Sequence, residues 1–179
     1  METVIKLILA IAPSVLVIII IFNFDFYRST DMRSKRRLVF AGLGAVALSG
    51  IVNGLLYTYT TIDIYSASLP ERLIAMFFGI AINEEFFKVV IFMLLFQRVL
   101  PDVNEYDLYV YVLSVSAIFA AGEGISTGNF HSYLLLVRIV TFIPFHLVNG
   151  ITTAFFISRY LKNDGPAGIR WLFAAWLVP

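Results

Sequence analysis

The stretch RLIAMFFGIAINEEFFKVVIFMLLFQR, residues 72–98, decides how the rest of the sequence is interpreted. It is long enough to cross a bilayer as a helix, because about 20 apolar residues span the hydrocarbon core. Yet Glu84, Glu85 and Lys88 lie near its midpoint. A charged side chain at that depth costs at least about 2.5 kcal/mol, so these groups need polar partners or water. We therefore expect a polar site inside an apolar helical bundle.

The composition of the whole chain is typical of a membrane protein. Of the 179 residues, 60% are hydrophobic and 14% are charged, which is too apolar for an ordinary soluble domain. The net charge is only +1, and no basic run is interleaved with aromatic residues, so nucleic acid is not an expected partner. The sequence contains no cysteine, which excludes disulfides, thiolate nucleophiles and cysteine-based metal sites.

Apolar runs of spanning length predict an all-α fold, a polytopic transmembrane helical bundle with five full spans and a partial sixth segment at the C-terminus. The five runs cover residues 4–24, 38–59, 72–97, 108–127 and 133–160, and the short last piece covers 169–179. No linker or internal repeat divides them. We therefore expect a single transmembrane helical domain over residues 1–179.

Lysine and arginine residues predict the orientation of the bundle, because cytoplasmic loops carry an excess of both. The segment DFYRSTDMRSKRR, residues 25–37, is the most basic of the predicted loops, and further basic residues follow the third and fifth runs. The second and fourth loops contain almost no lysine or arginine. We expect a multi-pass protein of the cell membrane, embedded in the lipid bilayer, with its N-terminus outside.

Depth along each helix predicts which polar side chains meet. At a rise of about 1.5 Å per residue, Glu84 and His146 lie about 18 and 20 Å from the outer ends of their runs, at nearly one level. Glu123 and Arg138 lie at comparable depths closer to the outside, which predicts a second pair. Lys88 follows Glu84 by four residues and is expected to neutralise part of the carboxylate pair.

Helical angles place the polar residues on inward faces. On the fifth run, Arg138, His146, Asn149 and Thr153 share an arc of about 80° and form one polar stripe. Neighbouring runs present small residues that let helices approach closely. These small residues are Ala45, Ser49, Ser116 and Ala120.

Two adjacent carboxylates, a lysine and a histidine at one depth suit the activation of a water molecule for hydrolysis inside the membrane. A serine mechanism is weaker, because Ser116 lies on another helix with no histidine one turn away. Zinc bound by the three deep glutamates and His146 stays an alternative, although one deep histidine without an HExxH motif is a poor zinc signal. We therefore predict no cofactor and no metal.

Other roles compete with the catalytic one. Glu84, Glu85 and Lys88 with Arg138 would also make a buried ion network that fixes helix register. Glu123 with Arg138 would serve equally as a structural pair. The rival functions are an ion- or proton-coupled transporter, in which these acids form a relay, and a catalytically inactive protein that binds membrane partners. The lack of inverted repeats argues against the transporter.

Three motifs resemble the PrsW family of intramembrane proteases. EEFFK, residues 84–88, matches the family's EExxK signature. DLYVYVLSVSAIFAAGEGISTG, residues 107–128, is similar to the family's next helix, and RIVTFIPFHLVNG, residues 138–150, resembles the one after it. FIPFH, residues 142–146, also fits the FxxxH motif of the wider group that includes CAAX-prenyl endopeptidases and Abi membrane proteins. The resemblance covers roughly residues 70–160.

The resemblance implies a glutamate-dependent, metal-independent endopeptidase that cuts membrane proteins or membrane-associated peptides, for example an anti-sigma factor. By position, Glu84 and Glu85 would hold the catalytic base and His146 would help to activate the water. The family's further C-terminal helix is expected to be truncated or absent, since the chain as given stops in GIRWLFAAWLVP, residues 168–179. The supporting residues would be Lys88, Glu123, Arg138 and, on the same stripe as His146, Asn149.

Overall fold

The computed structural model describes residues 2–23, 32–59, 68–126, 132–163 and 165–177. In chain order they form α1 (Glu2–Asn23), α2 (Met32–Tyr59), α3 (Leu69–Met76), a π-helical turn (Phe77–Ala81), α4 (Ile82–Phe96), a 3-10 turn (Leu100–Asp102), α5 (Glu105–Ser126), α6 (Ser132–Lys162) and α7 (Gly165–Leu177). These described residues contain no strand, which confirms the predicted all-α class.

Three of the described helical segments are long and apolar enough to cross a membrane: Met32–Leu56, Glu105–Ile125 and Val140–Lys162. They correspond to the second, fourth and fifth predicted runs. The other two runs, 4–24 and 72–97, stay predictions as full spans. In the first of them the described apolar segment is the shorter Ile11–Asn23, and the second is divided by the π turn.

The helices begin earlier than the predicted runs, and α2 and α7 differ the most. The C-terminal part of the expected loop at 25–37 is helical, because α2 starts at Met32 and takes Arg33, Lys35 and neighbouring basic residues into its first turns. Lysine and arginine are good helix formers, so the helix extends beyond the apolar run. Likewise α7 starts at Gly165, with Pro166 in the first turn, where no backbone N–H is needed. Residues 24–31, 60–67 and 127–131 lie outside the described part, and the orientation stays a prediction.

Helix α5 lies at the centre of the bundle. Of its apolar span 78% is buried, against 28% in α2 and 33% in α6. It packs on α1, α2, α4 and α6, while α7 packs on α6 and α4. Large side chains such as Phe92, Phe96 and Phe119 fill the space between these helices. A polar side chain on the inward face of α5 therefore lies inside the bundle.

Small residues let α2 and α6 each approach α5 closely. A Cβ atom added to Gly42 would lie 2.5 Å from Cγ2 of Ile118, and one added to Gly150 would lie 2.6 Å from Oγ of Ser116. Neither position has room for a side chain, as expected where helices meet through small residues. The predicted small-residue faces are buried at Ala45, Ser49, Ser116 and Ala120.

Helix α3 and the π turn form an arm, residues 69–81, at the edge of the bundle. None of the arm's residues is buried. Ser68 starts the arm, because its backbone N–H and its hydroxyl donate to the Glu71 carboxylate at 2.8 and 2.7 Å. Backbone angles remain right-handed helical at Met76 and Ile82, so the arm continues into α4 without a break.

The π turn directly precedes the charged segment, where a regular helix was predicted. The backbone N–H of Ile82 donates to the Phe77 carbonyl five residues back, the spacing that defines a π turn. Within the turn, Asn83 Nδ2 donates to the Gly79 carbonyl at 2.8 Å and so satisfies that acceptor with a side chain. Turns of this kind occur frequently at functional sites, and this one leads straight into Glu84 and Glu85.

The close approach of α2 and α5 predicts a strong difference between two glycines of α2. Gly42→Ala should lower the free energy of unfolding by about 1–3 kcal/mol, because the new methyl group meets the side chain of Ile118. Gly50→Ala has nothing within 4 Å and should be neutral or stabilise by up to about 1 kcal/mol. Denaturant unfolding in detergent micelles measures both; equal effects would contradict the packing described.

Candidate active site

The predicted site residues come from three helices. Glu84, Glu85 and Lys88 lie in the first two turns of α4, Glu123 lies in the last turn of α5, and His146 and Asn149 lie midway along α6. Five of these six residues form one hydrogen-bonded network, and Glu84 lies beside it, close to Glu123 and His146. Arg138 lies on α6, but its side chain is outside the described part, so its predicted pairing with Glu123 is not described.

Glu85 and Lys88 form a buried ion pair within α4. Only 5% of Glu85 and 3% of Lys88 is exposed. Asn149 Nδ2 donates to the same Glu85 oxygen, Oε1, at 3.2 Å and ties α6 to α4. The predicted partner of Lys88 was Glu84, but the ammonium lies on Glu85, three residues back, because Glu85 and Lys88 both point into the bundle.

His146 connects the ion pair to α5. Its Nδ1 lies 3.3 Å from Lys88 Nζ, and its Nε2 lies 2.8 Å from Glu123 Oε2. The Phe119 ring packs edge-on against the imidazole at 5.3 Å and lies 4.6 Å from the Lys88 ammonium. These neighbours bury His146, of which only 3% is exposed.

The contact of Glu123 with His146 was not predicted. Glu123 is three residues before the end of α5, while His146 is fourteen residues after the start of α6. Their contact means that the N-terminal end of α6 extends about 16 Å beyond the C-terminal end of α5. Depth counting assumed level helix ends and for that reason did not bring Glu123 and His146 together. The predicted pair of Glu123 with Arg138 stays a prediction, because the Arg138 side chain is outside the described part.

The contacts of His146 fix the position of its proton. A lysine ammonium has three donors and no acceptor, so Nδ1 must accept from Lys88. The imidazole is then neutral with its proton on Nε2, from which it donates to Glu123. This assignment follows from the hydrogen-bond partners, as tautomers generally must. An unbroken chain therefore runs from Asn149 through Glu85, Lys88 and His146 to Glu123.

The two adjacent glutamates lie on opposite sides of this chain. Glu84, Glu123 and His146 line a cavity of about 440 Å³ whose other walls are mostly apolar. Glu85 and Lys88 instead border a cavity of about 10 Å³, which has room for about one water molecule. Only Glu84 of the pair thus faces a space that a substrate can enter.

Glu84, Glu123 and His146 also have the spacing of a metal-ligand set. One ligand atom from each lies within 4.8 Å of the other two. Imidazole nitrogen and carboxylate oxygen are common zinc ligands. A metal on Nε2 would require the imidazole proton on Nδ1, where it would face the Lys88 ammonium, which has no acceptor. The donors therefore fit a metal in spacing but not in the tautomer assigned to His146.

The chain matches no protein-family model, no curated protein and no solved structure. Its similarity to the PrsW family therefore rests on the motifs alone and stays a prediction.

The ion pair predicts that Lys88 is a main determinant of stability. Lys88→Met should lower the free energy of unfolding by about 3–5 kcal/mol, because it leaves the Glu85 carboxylate buried without its partner. The double variant Lys88→Met/Glu85→Gln should recover part of this loss, since the remaining group is neutral.

The matched control for this test is Lys162→Met. It removes an ion pair with Glu105 that is about half exposed, so it should cost no more than about 1 kcal/mol. Unfolding curves of the four proteins in detergent give the comparison. Equal losses for the two lysine variants would contradict the assigned role of the Glu85–Lys88 pair.

Proposed function

We propose that this protein is an intramembrane endopeptidase that hydrolyses peptide bonds of membrane-associated polypeptides with a carboxylate-activated water. The observation that carries the proposal is the meeting of Glu84, Glu123 and His146 at the wall of a cavity of about 440 Å³. Carboxylates and an imidazole within hydrogen-bond reach of one site are the groups that general acid–base hydrolysis requires.

In the proposed reaction, a water lies between the Glu84 carboxylate and His146. Glu84 takes one proton from the water while the water oxygen bonds to the scissile carbonyl carbon. The single N–H of His146, at Nε2, donates to Glu123 in the free site. In the reaction it turns from Glu123 to the developing oxyanion and donates to it instead. The C–N bond breaks as Glu84 returns the proton to the leaving nitrogen, which restores the site.

The remaining polar residues position this machinery. Lys88 keeps the His146 proton on Nε2, and Glu85 with Asn149 holds Lys88 in place. In this proposal the base is Glu84 and Glu85 has a supporting role, a choice that the EExxK motif leaves open. A predicted supporting role for Arg138 remains part of the proposal.

The surroundings of the site suit a substrate that reaches it within a bilayer. The helices Met32–Leu56, Glu105–Ile125 and Val140–Lys162 supply three candidate spans, and the site lies between α4, α5 and α6. We place the chain in the cell membrane as a multi-pass protein with its N-terminus outside, as the basic residues predict.

A proton-coupled carrier is the second candidate, because the chain from Glu123 to Glu85 is also a path for proton transfer. The two candidates differ in what they need from Glu85. A relay passes through Glu85, whereas hydrolysis at Glu84 uses it only for support.

Purified protein in liposomes with single-span peptide substrates tests the two candidates. Glu84→Gln and His146→Ala should each lower the cleavage rate by about 10²- to 10⁴-fold, the usual loss for a general acid or base. Glu85→Gln should lower it less, and the exposed Glu105→Gln should leave it unchanged. Cleavage should persist in the presence of chelators.

Other results would contradict the assigned site or the peptidase activity. Cleavage that survives in both Glu84→Gln and His146→Ala would overturn the assigned site, and loss of cleavage with chelators would favour a metal. If the wild type does not cleave but a pH-sensitive dye inside the liposomes reports a proton flux that Glu85→Gln abolishes, the protein is a carrier. Neither activity in the wild type would indicate a catalytically inactive relative.

A further inference from the structure

We infer that Phe119 is a positioning residue of the proposed site, whose ring holds the Lys88 ammonium and, through it, the proton of His146. This inference rests on the proposed function and adds to it the aromatic side chain on which the Nε2 proton depends. Phe119 lies on α5, one helical turn before Glu123, and only 1% of it is exposed. A buried phenylalanine is usually a core residue, and the contacts of Phe119 are what distinguish it.

The ammonium of Lys88 contacts three described side chains. It donates to Glu85 Oε1 and to His146 Nδ1, and it lies over the Phe119 ring, 4.6 Å from the centroid. A cation within about 6 Å of an aromatic centroid is attracted by the negative face of the ring, most strongly where water is excluded. Only 3% of Lys88 is exposed, so the ring acts on a charge that water screens little.

The ring stabilises the buried cation without adding a second negative charge. A lysine ammonium has three N–H donors, and Glu85 and His146 accept from two of them. The negative face of Phe119 attracts the same ammonium and competes for neither of these bonds. A leucine would fill part of the space but has no negative face. The position therefore calls for an aromatic side chain and not only for an apolar one.

Phe119 also contacts the imidazole that accepts from Lys88. The ring centroids of Phe119 and His146 lie 5.3 Å apart, with 60° between the ring planes, in the edge-to-face arrangement that aromatic pairs prefer. Glu123 Oε2 lies 2.8 Å from the Nε2 atom of the same imidazole. Residues four apart share one face of a helix, so α5 contacts His146 twice, once at the ring and once at the donor nitrogen.

These contacts bear on the reaction because the proposed donor to the oxyanion is the N–H at Nε2. The proton stays on Nε2 while Nδ1 accepts from Lys88, since an ammonium has no acceptor for a proton on Nδ1. A weaker hold on the ammonium lets it move away from Nδ1, and the imidazole then carries its proton on either nitrogen. Phe119 therefore acts on the reaction through Lys88 and His146.

The experiment separates the charge distribution of the ring from its size. A trifluorinated phenylalanine has nearly the shape of phenylalanine but a much weaker negative face, and amber suppression places it at position 119 of the full chain. Phe119→Leu removes the ring altogether. The matched control is Phe96 on α4, which is 0% exposed and whose described ring contacts are Phe92 and Tyr111. The same two replacements are made there.

The first readout is cleavage of a single-span peptide in liposomes. The trifluorinated ring at position 119 should lower kcat by about 3- to 10-fold and leave KM unchanged, because the ring holds a reacting group and not the substrate. Phe119→Leu should lower kcat at least as much. Both replacements at Phe96 should leave kcat unchanged, and unfolding curves check that the two leucine variants lose similar stability.

The second readout is the tautomer of His146, which does not depend on cleavage. In ¹⁵N NMR of histidine-labelled protein, a protonated ring nitrogen and a bare one give well-separated signals. The other histidine of the chain, His131, is replaced by glutamine. With Phe119 intact, His146 should show the Nε2–H form alone. Phe119→Leu should add the Nδ1–H form, and Phe96→Leu should not.

The two proposals fail in different ways. An unchanged kcat with the trifluorinated ring at position 119, or an unchanged tautomer in Phe119→Leu, would overturn the inference and leave Phe119 as a packing residue. A changed tautomer without cleavage by the wild type would support the hold on His146 and overturn the peptidase. Cleavage by the wild type, with Phe119 variants that behave like the Phe96 variants, would support the peptidase and overturn the inference.

Discussion

The ion pair between Glu85 and Lys88 is the contact on which the rest of the polar interior depends. Removing two charges from water is costly, and their attraction offsets that cost only when further hydrogen bonds complete the geometry. Asn149 and His146 supply those bonds from α6, so the same interaction that neutralises α4 also fixes α6 beside it. Once Lys88 is held, the imidazole has one orientation and one tautomer, and Glu123 of α5 is joined to the same network.

The two adjacent glutamates of the motif lie in two separate environments. Successive residues of a helix project about 100° apart, so Glu84 and Glu85 cannot share one environment. Glu85 is buried in the ion pair, and Glu84 reaches the cavity. The two adjacent acids of the motif are therefore a carboxylate in a buried ion pair and a carboxylate that lines the cavity.

Much of the candidate site could be predicted from helical periodicity and rise. These two constants placed Glu84 near His146 and the small residues on inward faces, and the structure confirms both. They could not predict the partners. Lys88 pairs with Glu85 rather than Glu84 because Glu85 and Lys88 both lie on the buried face of α4. Glu123 meets His146 because a contact between helices depends on how far one helix extends past the other. That offset comes from packing between helices, and no single helix encodes it.

The π turn was also beyond prediction, since no residue propensity marks it, although it stands immediately before the motif that the sequence singles out. Such a turn is equivalent to one residue inserted into a regular helix. It rotates everything on its N-terminal side by about 100° relative to α4. Without it, Glu84 would keep its place, but the apolar face of the arm that includes Leu73 and Met76 would turn away from the cavity. One extra residue in the backbone therefore places the apolar face of the arm on the same side as the Glu84 carboxylate, at one cavity.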